Sequence, residues 1–200
     1  MIQQILLWLS NNYIEVLGTV FGLLYILLSI KQNIWCWPVG LITSALYIYV
    51  FFVTKFYADM GLQVYYLFVS IYGWYHWQYG SKSKKHDDLK LSFLSFKLFI
   101  ILIIATAILF VFIAYVLITF TDSNIPYWDA FTTAASFVAT WMLARKIIEN
   151  WIFWIVINIV SLSLYIYKGL YPTVILFAVY TVLAVVGYNN WKKDIKTQLS

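Results

Sequence analysis

The sequence predicts an all-α integral membrane protein with seven transmembrane helices in a 3+1+3 order, in which two parallel three-helix repeats flank a linker helix. Of its 200 residues, 64% are hydrophobic and 10% are charged, whereas soluble domains average about half apolar and a quarter charged. Seven apolar runs lie between polar or charged residues, and a pattern in the first half returns in the second. These features exclude a water-soluble globule.

The seven apolar runs are close to the length of a membrane-crossing helix, which needs about 20 residues for a hydrocarbon core of about 30 Å. They cover residues 16–30, 37–53, 61–77, 98–120, 131–143, 151–167 and 173–188. In front of them, residues 1–14 place Ile2, Ile5 and Leu9 on one helical face. This pattern predicts a short interfacial helix, with a disordered tail as the alternative.

The distribution of Lys and Arg predicts the orientation, because cytoplasmic loops are enriched in both. With seven spans, eleven of the thirteen fall on one side and only Lys55 and Lys168 on the other. The eleven are Lys31, Lys82, Lys84, Lys85, Lys90, Lys97, Arg145, Lys146, Lys192, Lys193 and Lys196. We therefore expect an outside N-terminus, a cytoplasmic C-terminus, a basic cytoplasmic loop at 79–97 and a cytoplasmic tail at 192–200. The positive charge reflects topology, and no nucleic-acid partner is expected.

An internal repeat is the strongest organisational signal. At a spacing of 114 positions, Tyr57, Tyr66, Gly73 and Trp77 recur as Tyr171, Tyr180, Gly187 and Trp191. Upstream, Asn33 and Trp37 are matched to Asn150 and Trp154 at 117, and residues 46–49 to residues 164–167 at 118. The sequence thus predicts one three-helix repeat at 15–78 and a second at 128–191.

The span at 98–120 has no partner in the repeat and is almost uniformly apolar. Three helices are an odd number, so two directly joined repeats would point in opposite directions, and a single linker helix restores a parallel orientation. This plan is that of SWEET-type transporters, whose substrate site lies between the repeats near the bilayer midplane. The architecture therefore implies transport.

Polar stripes along three spans mark candidate binding residues, since a membrane helix needs no polar face unless something polar meets it. The third span aligns Gln63, Tyr66, Ser70, Trp74 and Trp77, the sixth aligns Trp154, Asn158 and Ser161, and the fifth offers Thr140. Ser and Thr also mark helix packing, and Trp near span ends also forms interfacial belts. Gln63 and Asn158 carry the most weight, because an amide that faces lipid leaves its hydrogen-bonding groups unsatisfied.

The spans contain no deep Asp, Glu, Lys or Arg. A phosphorylated substrate would need a cation, and proton coupling would need a buried titratable group. Aromatic faces and neutral amides suit an uncharged or cationic ring instead. No catalytic or metal-binding motif is present, so no cofactor is expected. A small polytopic membrane enzyme is the distant alternative.

At residues 33–77, with the Leu62–Gln63 pair and GWYHW at 73–77, and at residues 139–172, the sequence resembles the PnuC family of bacterial vitamin transporters. GYNNW at 187–191 also fits. The resemblance covers nearly the whole chain and implies a SWEET-like fold, a homotrimer in the bacterial inner membrane, and binding roles for Gln63, Trp74, Trp77, Trp154 and Asn158.

That family carries nicotinamide riboside, and relatives carry thiamine; both substrates contain a positively charged aromatic ring. The sequence offers no residue to couple energy, so we expect facilitated diffusion of nicotinamide riboside, followed by trapping through cytosolic phosphorylation. Thiamine uptake by the same fold remains the alternative.

Overall fold

A computed structural model describes residues 13–53, 57–80, 89–167, 169 and 171–199. Within these residues the chain forms seven helices: α1 Tyr13–Ile30, α2 Cys36–Val53, α3 Tyr57–Tyr79, α4 Phe96–Phe120, α5 Pro126–Ala144, α6 Asn150–Tyr167 and α7 Tyr171–Leu199. The predicted seven-helix, all-α membrane fold is confirmed. The proposed interfacial helix falls mostly on residues 1–12, outside the described residues, as do residues 81–88 of the basic loop.

Length and composition suit a membrane crossing best in four of the described helices: Cys36–Val53, Phe96–Phe120, Asn150–Tyr167 and Thr173–Leu199. Val16–Ile30 is a shorter apolar helix. The helices α3 and α5 are more polar, because they carry the predicted polar stripes as well as Asp59 and Asp129. The helix α7 continues well past Tyr188, so the predicted tail at 192–200 is helical up to Leu199.

The chain divides into two compact units, one up to Tyr75 and one from His76 onward. In the first unit, α1 packs on α2 through glycines. A Cβ added to Gly18 would lie 3.0 Å from the Tyr47 ring, and one added to Gly40 would lie 3.1 Å from the Tyr25 ring. The small residues therefore allow the two helices to approach closely.

In the second unit, α4 packs on α5, and α5 on α6. Leu102 of α4 meets Val138 and Met142 of α5, and Ala114 and Leu117 meet Ala130. The remaining surface of α4 exposes large apolar side chains, among them Ile100, Ile104, Ile108, Val111, Phe112 and Tyr115. That surface matches a linker helix in contact with lipid.

Residues 89–95 form an extended strap along the second unit. The backbone of Leu91 exchanges two hydrogen bonds with the Gln198 side chain, at 3.1 and 3.2 Å. Ser92 donates to the Lys146 carbonyl and accepts from the Ile148 amide, both at 3.1 Å. The strap thus ties the α5–α6 turn and the end of α7 to the start of α4.

The structure corrects the register of the internal repeat. Gln32 and Lys146, 114 positions apart, both adopt a left-handed conformation with φ 52°. The backbone amides of Asn33 and Ile147 bond the carbonyls of Leu28 and Met142, at 2.9 and 3.0 Å, again with a spacing of 114. The spacing is therefore uniform through both turns.

A glycine–tryptophan contact fixes the same register. A Cβ on Gly73 would lie 2.5 Å from the Trp37 ring, and a Cβ on Gly187 would lie 2.7 Å from the Trp151 ring. Trp37 thus corresponds to Trp151, and its match to Trp154 is wrong. The match of Asn33 to Asn150 and that of residues 46–49 to 164–167 are wrong for the same reason.

Candidate functional site

The α6 stripe is buried inside the second unit. Asn158 is 5% exposed and Ser161 is buried, one helical turn apart. Trp154 packs with Phe153 against the small side chains Ala135 and Ala139 of α5. Because α5 presents alanines here, the larger side chains of α6 can be accommodated between the helices.

Asn158 is the notable member of this stripe. Its carboxamide has two donors and an acceptor with two lone pairs, yet no described residue forms a hydrogen bond with it. No acidic or basic residue stands anywhere in α6. Its carboxamide atoms are not among the fully buried side-chain N and O atoms that lack a partner, so they border space in which a ligand or water can supply matching groups.

Thr140 lies on α5 and is buried, but its hydroxyl donates to the Ser136 carbonyl at 2.8 Å. This bond stays within one helix and satisfies the hydroxyl. Thr140 therefore has no free donor for a ligand.

Trp77 also belongs to the second unit and lies against the end of α5. Its indole Nε1 donates to the Ala144 carbonyl at 3.1 Å, at the end of α5. Its ring lies 6.5 Å from that of Trp191, and the Lys146 ammonium lies 4.6 Å from its centroid. The indole is thus held by the α5–α6 turn and by α7.

The remaining predicted residues lie in the first unit, on α3. Ser70 is buried beside Gly40, whose Cβ would lie 3.0 Å from the Ser70 hydroxyl oxygen. Gln63 and Tyr66 are half-buried, and the Tyr66 ring lies 5.9 Å from that of Tyr65. Trp74 is 41% exposed. The structure thus groups Gln63, Tyr66, Ser70 and Trp74 in one unit, and Trp77, Thr140, Trp154, Asn158 and Ser161 in the other.

Sequence reasoning missed one residue of chemical interest, Lys146. Its position between two apolar runs predicts a solvated loop cation, but in the structure it is only 5% exposed. The corrected register pairs it with Gln32, a relation that rests on their shared backbone conformation and not on their residue types.

Among the described residues, no group of three His, Cys, Asp or Glu side chains could hold a metal ion.

A seven-helix membrane fold with neutral amides and aromatic side chains on its polar helix faces is typical of a multi-pass transporter for a small molecule. The family model described as nicotinamide mononucleotide transporter matches residues 12–193. The chain belongs to this family, and the resemblance stated from its motifs is confirmed.

Individual relatives agree with this assignment. The nicotinamide riboside transporter PnuC of Escherichia coli (strain K12) is 28% identical over 204 residues, covering 90% of this chain and 85% of the relative. The riboflavin/roseoflavin transporter RibM of Streptomyces davaonensis is 24% identical over 178 residues, covering 88% and 83%. The crystal structure of the vitamin B3 transporter PnuC matches with a TM-score of 0.77 at 24% identity, covering 98% of this chain and 87% of that chain. This last likeness supports the fold.

Proposed function

We propose that this protein takes up nicotinamide riboside across the bacterial inner membrane by facilitated diffusion. The observation that carries the proposal is Asn158, a carboxamide buried at mid-helix without a described partner. The ribose hydroxyls and the carboxamide of the substrate supply the donors and acceptors that this side chain lacks. Names of curated relatives, such as the nicotinamide riboside transporter PnuC, point to the same substrate.

In this proposal both repeats, 15–78 and 128–191, supply residues that bind the substrate. Gln63 on α3 and Asn158 on α6 hydrogen-bond the substrate, with Tyr66, Ser70, Thr140 and Ser161 alongside. Trp74, Trp77 and Trp154 stack on the pyridinium ring or gate its passage, since a desolvated cation on an indole gains about 2 kcal/mol. Rocking of one repeat against the other then exposes the substrate alternately to each side.

The charge distribution argues for the riboside over the mononucleotide. The helices that carry Gln63 and Asn158 contain no Lys or Arg, and the buried Lys146 stands in the α5–α6 turn, where it faces the Trp77 ring. A phosphate beside the two amides would therefore have no cation on either helix to compensate it. A monovalent cation gains about 2.3 kcal/mol per 100 mV on moving to the negative interior. Cytosolic phosphorylation then traps the product. The distribution of Lys and Arg among the loops places the N-terminus outside and the C-terminus in the cytoplasm. From the resemblance to its family, we expect the protein to assemble as a homotrimer.

Calorimetry on the purified protein tests the substrate directly. Nicotinamide riboside, its mononucleotide, thiamine and riboflavin are titrated side by side, the last because RibM is named as a riboflavin transporter. We expect nicotinamide riboside to bind at least tenfold more tightly than the other three. Tighter binding of thiamine would favour the alternative cargo, and tighter binding of the mononucleotide would contradict the charge argument.

A further inference from the structure

The α5–α6 turn holds a buried cation for which the proposed transport mechanism has no role. Lys146 stands in this turn, and both it and Trp77 are only 5% exposed. The Lys146 Nζ lies 4.6 Å from the centroid of the Trp77 ring, well within the range of a cation–π contact. The indole face on this side is therefore already covered by a positive charge.

Both partners of this contact are held in place. The Trp77 ring is fixed by the bond from its Nε1 to the Ala144 carbonyl, at 3.1 Å. The backbone around Lys146 is fixed by the strap, since Ser92 bonds the Lys146 carbonyl and the Ile148 amide. The ammonium can therefore leave the indole only by rotation of the lysine side chain.

The equivalent turn of the first repeat shows that the charge is not required by the backbone. Gln32 adopts the same φ of 52° as Lys146, and it is neutral. A glutamine is therefore compatible with this left-handed position, although such a conformation is unfavourable for most residues. The positive charge of Lys146 is therefore not needed to form the turn.

We propose that Lys146 is a specificity-determining residue, whose ammonium competes with a cationic substrate ring for the face of Trp77. The inference rests on the proposed function. At this end of the pathway a pyridinium must displace the lysine side chain, whereas a neutral ring of the same shape meets no charge repulsion. Removal of the ammonium should therefore favour cationic over neutral substrates.

Two forms of nicotinamide riboside, one with a cationic ring and one with a neutral ring, allow this effect of charge to be measured. Nicotinamide riboside carries a cationic pyridinium, and its dihydro form has nearly the same shape with a neutral ring. Initial uptake of each is measured in proteoliposomes containing the full-length wild type, Lys146→Gln, Lys146→Arg or Lys192→Gln. The last variant is the matched control, since Lys192 is an exposed lysine whose Nζ lies 5.4 Å from the Tyr188 ring centroid.

We expect Lys146→Gln to raise the ratio of cationic to neutral uptake about three- to tenfold, while Lys146→Arg and Lys192→Gln stay within about twofold of the wild type. If Lys146→Gln does not accumulate, Lys146→Met, which keeps the apolar stem, is measured in the same way. An unchanged ratio in a folded, uncharged variant overturns the inference, and so does an equal change in Lys192→Gln. A wild type that transports neither form overturns the proposed function itself, and the inference with it.

Discussion

The two repeats share one backbone and present different side chains on it. The left-handed residue, the turn hydrogen bonds and the glycine–tryptophan contact all recur 114 positions later. Yet α2 has Gly40 and Ser44 where α6 has Trp154 and Asn158. The glycine–tryptophan contacts that pack the helices recur, whereas Trp154 and Asn158 of the proposed site have no counterpart on α2.

In the third helix of each repeat, the first repeat carries the polar residues and the second repeat the apolar ones. At equivalent positions α3 has Gln63 and Ser70, whereas α7 has Phe177 and Ala184. Each repeat therefore contributes one helix with a candidate amide, Gln63 on α3 in the first and Asn158 on α6 in the second. The comparison teaches that the shared glycine–tryptophan contacts serve packing, and that both candidate amides, Gln63 and Asn158, stand where the repeats differ.

The largest expected effect concerns the shared packing. Gly73→Leu and Gly187→Leu would each drive a side chain into an indole, because even a Cβ would lie 2.5 or 2.7 Å from the ring. Overpacking typically costs 1–3 kcal/mol and occasionally more, so we expect both variants to lose most of the folded protein. The yield and melting temperature in detergent, followed by fluorescence-detected gel filtration, measure this loss.

Gly61→Ala is the control for these variants, since nothing lies within 4 Å of a Cβ at Gly61. Replacing glycine by alanine inside an open helix should leave stability unchanged or raise it by about 0.5–1 kcal/mol. Wild-type melting in either leucine variant would break the proposed equivalence of the two contacts.

The next largest effect is expected at Asn158 on α6, where the two repeats carry different residues. Asn158→Leu should weaken nicotinamide riboside binding at least about tenfold, or 1.4 kcal/mol, by removing hydrogen bonds to the ligand. Stability should be unchanged, because no described residue forms a hydrogen bond with the Asn158 carboxamide. Calorimetry and thermal melting measure the two quantities on one sample.

Ser44→Ala, at the equivalent position of α2, is the matched control and should change the affinity by less than about twofold. Wild-type affinity in Asn158→Leu would remove this residue from the site. An equal loss in Ser44→Ala would mean that both α2 and α6 meet the substrate.

The helices could be predicted from the sequence. For α1 to α6, each apolar run begins and ends within about five residues of the corresponding helix. The end of α7 could not be predicted, because a helix that leaves the membrane keeps its backbone bonds while its side chains become polar. The repeat was detectable, but its register in α2 and α6 was not. With 42 aromatic residues in 200, letters such as LYIY at 46–49 and 164–167 match by chance.

The true register depends on backbone geometry that unlike residues share. Gln32 and Lys146 have the same conformation and no chemical similarity, so letter matching cannot pair them. Burial was equally invisible: a lysine in a short loop reads as a solvated charge, and only the fold shows that Trp77 covers Lys146. The choice of Gln63 and Asn158 needed no coordinates, because amides in apolar helices stand out in the sequence.

A smaller effect is expected on α3. Gln63→Phe introduces the residue that α7 has at the equivalent position, Phe177. We expect nicotinamide riboside affinity to fall about three- to tenfold, less than for Asn158→Leu, because Gln63 is only half-buried and water can replace part of its hydrogen bonding. Calorimetry checks the order of the two effects, with Phe177→Leu as the control that should leave affinity unchanged. A larger loss in Phe177→Leu than in Gln63→Phe would reverse the assignment of the polar helix.

The smallest effect is expected at Thr140. Thr140→Val keeps the shape of the side chain and removes a hydroxyl that already donates to the Ser136 carbonyl. Affinity should stay within about twofold of the wild type. A tenfold loss in the same titration would show that the hydroxyl turns to the ligand, and would move Thr140 into the group that binds substrate directly.

The most direct test of the account is an experimental structure of the protein with nicotinamide riboside bound. The central claim is that Gln63 of the first repeat and Asn158 of the second bind the same ligand. It predicts that the carboxamides of Gln63 and Asn158 both lie within about 3.5 Å of polar atoms of one substrate molecule. A ligand held by one repeat alone, with the other amide directed elsewhere, would contradict it.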